Sequence, residues 1–278
     1  MQDRLGSFST HKGVMMKKFL MVMTLWCLVG PAQAAVQGKE VSYQANGTTL
    51  KGYIAYDDAF KGKRPAVLVV HEWWGHNEYA RKRARMLAEL GYTALAVDMY
   101  GDGKQAHHPD EAGKFATEVS KNMPMAKARF EAGMKLLRKE KTVDAKQMAA
   151  IGYCFGGGVV LNMARMGEDL KGVVSFHGSL GTDTPAQPGQ IRARIVSFSG
   201  EADPMIGADS VAAFKKEMDH AGANYRVVTY PGAQHAFTNE EADELGKKFN
   251  LPLAYNVEAD KDSWQQAKVF LREVFTPK

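Results

Sequence analysis

A short segment in the middle of the chain, residues 151–158, constrains the fold more than any other. The apolar run at 148–151 ahead of it predicts a buried strand, and the apolar run at 159–164 behind it predicts a buried helix. Between the two runs, Gly152 and Gly156 flank Cys154 at two positions' distance. A strand that turns at once into a helix needs small residues at these positions, and it pushes the middle side chain outward.

The resulting pattern, Gly-x-Cys-x-Gly, is that of a nucleophile elbow with a thiol in place of the usual serine hydroxyl. It would place Cys154 at a helix N-terminus, where free N–H groups and the helix dipole favour a thiolate and an oxyanion. The motif alone leaves a second interpretation open, in which Cys154 is a buried structural cysteine in a glycine-rich turn.

The N-terminus has the three parts of a secretory signal peptide. The basic residues Lys17 and Lys18 precede an apolar stretch at 19–29, and Ala32-Gln33-Ala34 is a small-x-small cleavage site. We therefore predict a signal peptide over residues 1–34 and a periplasmic or secreted protein, with residues 1–15 lying upstream of a second candidate start at Met16. A buried N-terminal helix is the alternative. Cleavage would remove Cys27 and leave Cys154 as a lone thiol in an oxidising compartment, which favours chemistry over packing.

Composition limits the classes of partner. The chain is 45% hydrophobic and 24% charged, as is usual for a globular protein. Residues 1–34 hold four basic residues and one acidic residue, so their removal lowers the net charge from +5 to +2. A nearly neutral mature chain gives no reason to expect a nucleic-acid partner. We also expect no membrane association after cleavage, and the oligomeric state stays open.

Strands alternate with helices downstream of a predicted N-terminal hairpin around Asn46-Gly47. Strands are predicted at 41–43, 49–56, 65–70, 92–97, 148–151, 173–176, 191–198 and 225–230. Helices are predicted at 78–90, 109–121, 124–140, 159–164, 207–221 and 262–275. This alternation predicts an α/β fold with a mainly parallel, doubly wound sheet in one domain, residues 35–278.

Ligands of open parallel sheets bind beyond the carboxyl ends of the strands. Three residues at such ends, Cys154, Asp203 and His235, follow one another in the order nucleophile, acid, histidine, which is the chain order of α/β-hydrolases. His235 would act as general base and acid, and Asp203 would orient it. His177 also ends a strand, but it precedes the acid in the chain.

Four motifs make the chain similar to the dienelactone hydrolase family of α/β-hydrolases from about residue 53 to residue 275. They are His71-Glu72-Trp73-Trp74-Gly75, Gly152-Tyr153-Cys154-Phe155-Gly156-Gly157, Gly200-Glu201-Ala202-Asp203 and His235-Ala236-Phe237. The resemblance implies a hydrolase of carboxylic esters or lactones that needs no metal or cofactor. It implies a Cys154–His235–Asp203 triad, a supporting role for Glu72 beside a neutral resting thiol, and an oxyanion hole at the Phe155 and Trp73 amides. The expected substrate pocket consists of Trp74, Tyr100, Phe237 and His177.

One departure from the family pattern concerns charge. Family members that open dienelactone hold its carboxylate with two arginines, one after the Asp-x-Tyr motif and one after His-Ala-Phe. Here Gly101-Asp102-Gly103 and Thr238-Asn239-Glu240 stand at these places. We therefore expect a preference for neutral small-molecule esters or lactones. A thiol-based redox or sensing protein that uses Cys154 without hydrolysis is the main alternative, and a catalytically silent binding protein is a third.

Overall fold

The computed structural model describes residues 36–276, which fold around one mixed β-sheet. The strands within these residues are β1 (Val36–Ala45), β2 (Thr48–Asp57), β3 (Arg64–Val70), β4 (Thr93–Val97), β5 (Val143–Tyr153), β6 (Gly172–Phe176), β7 (Arg194–Gly200) and β8 (Tyr225–Tyr230). The helices are α1 (Glu78–Glu89), α2 (Pro109–Ser120), α3 (Met123–Lys139), α4 (Phe155–Arg165), α5 (Ala208–Ala221), α6 (Ala242–Phe249) and α7 (Val257–Phe275).

The eight strands lie in the order β1-β2-β4-β3-β5-β6-β7-β8. β1 pairs antiparallel with β2, and β2 pairs antiparallel with β4, whereas every other neighbouring pair is parallel. The predicted α/β-hydrolase fold, with its N-terminal antiparallel hairpin, is confirmed. Since β3, β5, β6 and β7 are parallel neighbours, the residues that follow them meet at one edge of the sheet.

Both faces of the sheet are covered by helices, because successive side chains of a strand point to opposite faces. Leu68 and Val70 of β3 pack in the core beneath α3, α4 and α5, and Val67 and Val69 pack in the core beneath α1 and α7. Such two-sided burial explains why the central strands read as continuous apolar runs rather than as alternating patterns.

The structure corrects some predicted boundaries. β7 begins at Arg194 rather than at residue 191, because the pairing with β6 starts at Arg194, opposite Gly172. α7 begins five residues before the predicted position, where the Asn256 side chain caps it by accepting a hydrogen bond from the Ala259 N–H. The short helix α6 was not predicted, because only two of its eight residues are buried.

The predicted signal peptide lies outside the described residues. No helix within residues 36–276 is long and apolar enough to cross a membrane. The predicted extent of the single domain, from residue 35 to the C-terminus, stays a prediction.

Candidate active site

Cys154 forms a sharp corner between β5 and α4. Its backbone has φ 52° and ψ −117°, a conformation that L-residues rarely adopt. The corner is tight, because a Cβ atom added to Gly152 would lie 2.0 Å from the Gly156 oxygen, and one added to Gly156 would lie 2.3 Å from the Val70 oxygen. Larger residues at either glycine would force β5, α4 and β3 apart. The geometry leaves the Cys154 side chain half-buried at the N-terminus of α4.

The His235 ring lies beside Asp203 at the same edge of the sheet. His235 Nδ1 is 2.8 Å from Asp203 Oδ2, and both side chains are almost completely buried. The other oxygen of Asp203 accepts a hydrogen bond from the Met205 N–H, which fixes the carboxylate in its turn after β7. A carboxylate acceptor on Nδ1 leaves Nε2 as the nitrogen that can exchange a proton with a reacting group.

His235 Nε2 is buried and has no hydrogen-bond partner among the described residues. Burial alone would lower the pKa of His235, but negative charge on the nearby Cys154 sulfur and the bonds to Asp203 and to that sulfur raise it to about 10. His235 Nε2 thus faces the Cys154 sulfur in a loose contact rather than in a well-formed hydrogen bond. Catalytic hydrogen bonds are often this loose before substrate binds.

Phe155 and Trp73, the two expected oxyanion-hole residues, lie on segments in close contact. Phe155 is the first residue of α4, so its N–H belongs to the unpaired amides of a helix start. Its ring stacks on His71 with ring centroids 5.7 Å apart. The backbone also approaches closely here, because a Cβ atom on Gly156 would lie 2.6 Å from the His71 oxygen. The turn that carries Trp73 therefore lies against the N-terminus of α4.

Glu72 is a buried carboxylate at the end of β3, with 2% of its surface exposed. Its Oε2 accepts a hydrogen bond of 2.8 Å from the Asn239 side chain, which is also buried. Burial raises the pKa of Glu72 to about 7, although the Asn239 bond and the positive charges of His235 and Arg83 act in the opposite direction. Glu72 is therefore held by the loop that carries His235 and Asn239, close enough for the charges of Glu72 and His235 to interact.

The expected substrate pocket is corrected by the structure at two positions. His177 and Phe237 are completely buried, so they do not line a cleft. His177 has a positive φ of 40°, which places its ring beneath the elbow, and Phe237 packs against it in the core at 5.2 Å. Trp74 and Tyr100 are also mostly buried, at 6% and 4% exposure. The Tyr100 hydroxyl donates to the Trp73 carbonyl at 2.9 Å and so supports that turn.

A chain of buried polar groups lies behind the nucleophile. The Cys154 N–H is shared between the Phe176 carbonyl and His177 Nδ1, so His177 carries its hydrogen on Nε2 and donates it to Thr238 Oγ1. Burial, together with the positive charges of His235 and Arg83, lowers the pKa of His177 well below its usual range and keeps the ring neutral. Arg83 extends the chain by donating to the Thr238 carbonyl at 2.7 Å.

Arg83 links this network to two helices. It donates to Asp260 of α7 at 2.7 Å and lies 5.2–5.5 Å from three aromatic ring centroids, those of Tyr79, Tyr153 and Trp264. A buried, fully bonded guanidinium fixes the relative position of the groups that it joins. It therefore holds the loop of His235 and Asn239 against α1 and α7.

Comparison with known proteins agrees with the fold and the site described above. The sequence matches the "Dienelactone hydrolase family" over residues 50–275. The chain belongs to this family.

Individual members of the family are about 30% identical to the chain. "Protein usf" of Aquifex pyrophilus is 30% identical over 86% of this chain and 100% of its own length. An Aquifex aeolicus protein with the name "Putative carboxymethylenebutenolidase" is 29% identical over 84% of this chain and 98% of its own length. The crystal structure of a dienelactone hydrolase-like promiscuous phosphotriesterase from metagenomic libraries has a TM-score of 0.79 at 30% identity, covering 87% of this chain and 100% of that one. The chain is thus a dienelactone hydrolase-like hydrolase.

Within this dienelactone hydrolase framework, three residues of the site were not singled out from the sequence. Asn239 and Thr238 stand directly after the His-Ala-Phe motif, where the sequence pattern indicates only that an arginine is absent. Arg83 follows Ala80 by three positions and precedes Leu87 by four, which places it on the apolar face of α1. A charged residue on a buried helix face was the signal that could have found it. No cluster of three or more potential metal-ligating residues occurs within residues 36–276.

Proposed function

We propose that the chain hydrolyses uncharged carboxylic esters or lactones through a thioester between the substrate acyl group and Cys154. The observation that carries this proposal is the alignment of Asp203 Oδ2 with His235 Nδ1 at 2.8 Å, beside a cysteine in the strained elbow conformation. A packing cysteine would need neither the positive φ nor the buried histidine beside it.

In the proposed acylation step, the Cys154 thiol gives its proton to His235 Nε2, the sulfur attacks the carbonyl carbon, and the carbonyl oxygen takes the negative charge. The Phe155 and Trp73 N–H groups donate to this oxyanion, and the helix dipole of α4 stabilises it further. The carbon–oxygen bond of the ester then breaks, and His235, protonated on Nε2, gives its proton to the leaving alkoxide. When the substrate is a lactone, the released alcohol remains attached to the acyl group.

In the proposed deacylation step, His235 takes a proton from a water molecule as the water oxygen attacks the thioester carbonyl. The intermediate collapses, the carbon–sulfur bond breaks, a carboxylic acid leaves, and His235 returns the proton to the Cys154 sulfur. Asp203 stabilises the imidazolium in both steps because it accepts the Nδ1 hydrogen throughout. Each cycle therefore returns Cys154 and His235 to their starting protonation states.

Glu72 enters this scheme as a buried charge near the reacting pair. The resemblance to the family implies that it helps to remove the thiol proton when substrate binds. Its electrostatic attraction to His235 supports a related role, since a carboxylate there favours the imidazolium that accompanies a thiolate. The Asn239 amide holds Glu72 in this place without adding a charge.

The proposed preference for uncharged substrates rests on the residues of the loop that follows the His-Ala-Phe motif. Where dienelactone-opening relatives have an arginine after His-Ala-Phe, this chain has Thr238-Asn239-Glu240, and the Asn239 amide is already bound to Glu72. A substrate carboxylate at this place would face the Glu72 charge without a cationic partner. Esters and lactones without a carboxylate avoid this repulsion.

An assay with phenyl acetate tests the proposal. Wild-type protein and the Cys154→Ala variant are compared, with thermal unfolding as a check that the variant folds. Loss of nearly all turnover in the variant supports the proposal, and equal turnover in both proteins contradicts it. If neither protein has activity but mild peroxide gives a stoichiometric sulfenate or mixed disulfide on Cys154, the alternative function in redox chemistry or sensing is favoured.

A further inference from the structure

A cleft of about 420 Å³ opens beside the nucleophile, over the carboxyl ends of β5 and β6. The first two turns of α4 form one side of it through Phe155, Val159 and Asn162. The junction of α2 and α3 and the loop after β6 form the others. Phe155 directly follows Cys154, so the cleft begins one residue away from the nucleophile.

The groups that line the cleft suit an uncharged, hydroxylated molecule. Phe155, Val159 and Met123 provide an apolar surface, whereas Ser120, Thr182 and Asn162 provide hydroxyl and amide groups. The lining, which falls within residues 120–184, includes no lysine, arginine or histidine, and Asp183 is its acidic member. A carboxylate would therefore meet repulsion from Asp183 here, and a bare alkyl chain would leave the Asn162 side-chain N–H groups without a partner.

An ion pair behind the polar wall of the cleft holds that wall in position. Arg165 is 2% exposed and makes two bonds of 2.8 Å to the Glu217 carboxylate. Arg165 also donates to the Leu180 carbonyl at 2.6 Å, and Glu217 accepts from the Ala186 N–H at 3.1 Å. The loop that carries Thr182 and Asp183 is thus fixed at both of its ends.

The same arginine orients Asn162. Arg165 Nη1 donates to Asn162 Oδ1 at 3.1 Å, which fixes the side-chain amide. Because its oxygen is already bonded, the Asn162 Nδ2 group is the donor available to a ligand in the cleft. A donor held by a buried ion pair is a preorganised contact, and such contacts discriminate well between a hydroxylated ligand and its deoxy analogue.

We propose that this cleft is a substrate subsite for an uncharged moiety rich in hydroxyl groups, and that Asn162 and Thr182 are its specificity-determining residues. The inference rests on the proposed ester or lactone hydrolysis at Cys154, and it narrows the substrate class to polyhydroxylated esters or lactones.

Two five-membered lactones test the subsite, namely galactonolactone, which carries hydroxyl groups, and unsubstituted γ-butyrolactone. The quantity measured is the kcat/KM value for galactonolactone divided by that for γ-butyrolactone. This ratio is compared between wild type and the Asn162→Leu variant, so that the intrinsic reactivities of the two lactones cancel. Loss of a single uncharged hydrogen bond predicts that the ratio falls roughly two- to tenfold in the variant. Asn224→Leu, at the opposite edge of the sheet, is the matched control and should keep the wild-type ratio.

Thr182→Val provides a second variant in case Asn162→Leu does not fold, since it removes a hydroxyl from the cleft with little change in volume. An unchanged ratio in whichever of these variants fold overturns the subsite. Wild-type activity toward phenyl acetate but toward neither lactone also overturns the subsite, while the chemistry at Cys154 stands. Absence of wild-type activity toward all three compounds overturns the proposed function together with the subsite.

Discussion

Replacing Glu72 by glutamine tests how much the burial of its charge lowers the free energy of unfolding. Burial raises the pKa of Glu72 from 4.5 to about 7. Between these values the folded protein binds a proton at Glu72 that the unfolded chain releases. The free energy of unfolding of the wild type should therefore fall as pH rises through this window.

The size of this effect follows from the difference between the two pKa values. Each unit of difference corresponds to about 1.36 kcal/mol, so a charged Glu72 should destabilise the fold by about 3 kcal/mol above its folded pKa. Glutamine has nearly the same shape and can still accept the bond from Asn239, but it does not ionise. The Glu72→Gln variant should thus gain about 3 kcal/mol over wild type between about pH 4.5 and pH 8.5.

Urea denaturation at these two pH values measures the effect, with the wild type and the variant compared at each. Glu244→Gln, an exposed substitution in α6, is the control and should not reproduce the gain of about 3 kcal/mol. A stability difference between Glu72→Gln and wild type that is the same at both pH values would refute the reasoning, because it would mean that Glu72 is not desolvated.

Three further predictions concern the nucleophile, the substrate and the N-terminus. Cys154→Ser should be strongly impaired rather than equivalent to wild type, since a hydroxyl is far harder to deprotonate than a thiol; a full rate in steady-state assays would contradict this. The kcat/KM value for a neutral aryl acetate should exceed that for dienelactone, by roughly thirtyfold or more if a charge-assisted contact worth about 2–5 kcal/mol is missing, and the reverse order would count against the charge argument. N-terminal sequencing of exported protein should find a mature start at Ala35, give or take a residue, and an intact N-terminus in the cytoplasm would disprove the signal peptide.

The sequence was informative where short motifs decide the structure locally. The elbow glycines, the order of Cys154, Asp203 and His235, and the apolar strands all follow from spacing and residue size, so the fold and the juxtaposition of Asp203 with His235 could be predicted. The sequence was not informative where contacts between distant elements decide the structure. The burial of His177 depends on a positive φ at the end of β6 and on Thr238, which lies 61 residues away.

The partner of Glu72 illustrates the same limit. A carboxylate next to the elbow strand could be read from the His71-Glu72 segment, but its bond to Asn239 spans 167 residues. The backbone path of the loop after β8 fixes this pairing, and no local pattern encodes that path. The sequence does not predict α6 for a related reason, since that helix buries too little apolar surface to give a clear period.

The central claim is that Cys154 becomes acylated during turnover. Rapid acid quenching of the wild-type protein with a chromogenic aryl ester, followed by peptide mass spectrometry, tests this claim most directly. We predict a mass increase of one acyl group on the peptide that contains Cys154, accumulation of the adduct when His235 is replaced by alanine at a pH where the thiolate forms, and no adduct in the Cys154→Ala variant. Turnover without any acyl group on Cys154, or with the acyl group on another residue, would contradict the proposed mechanism.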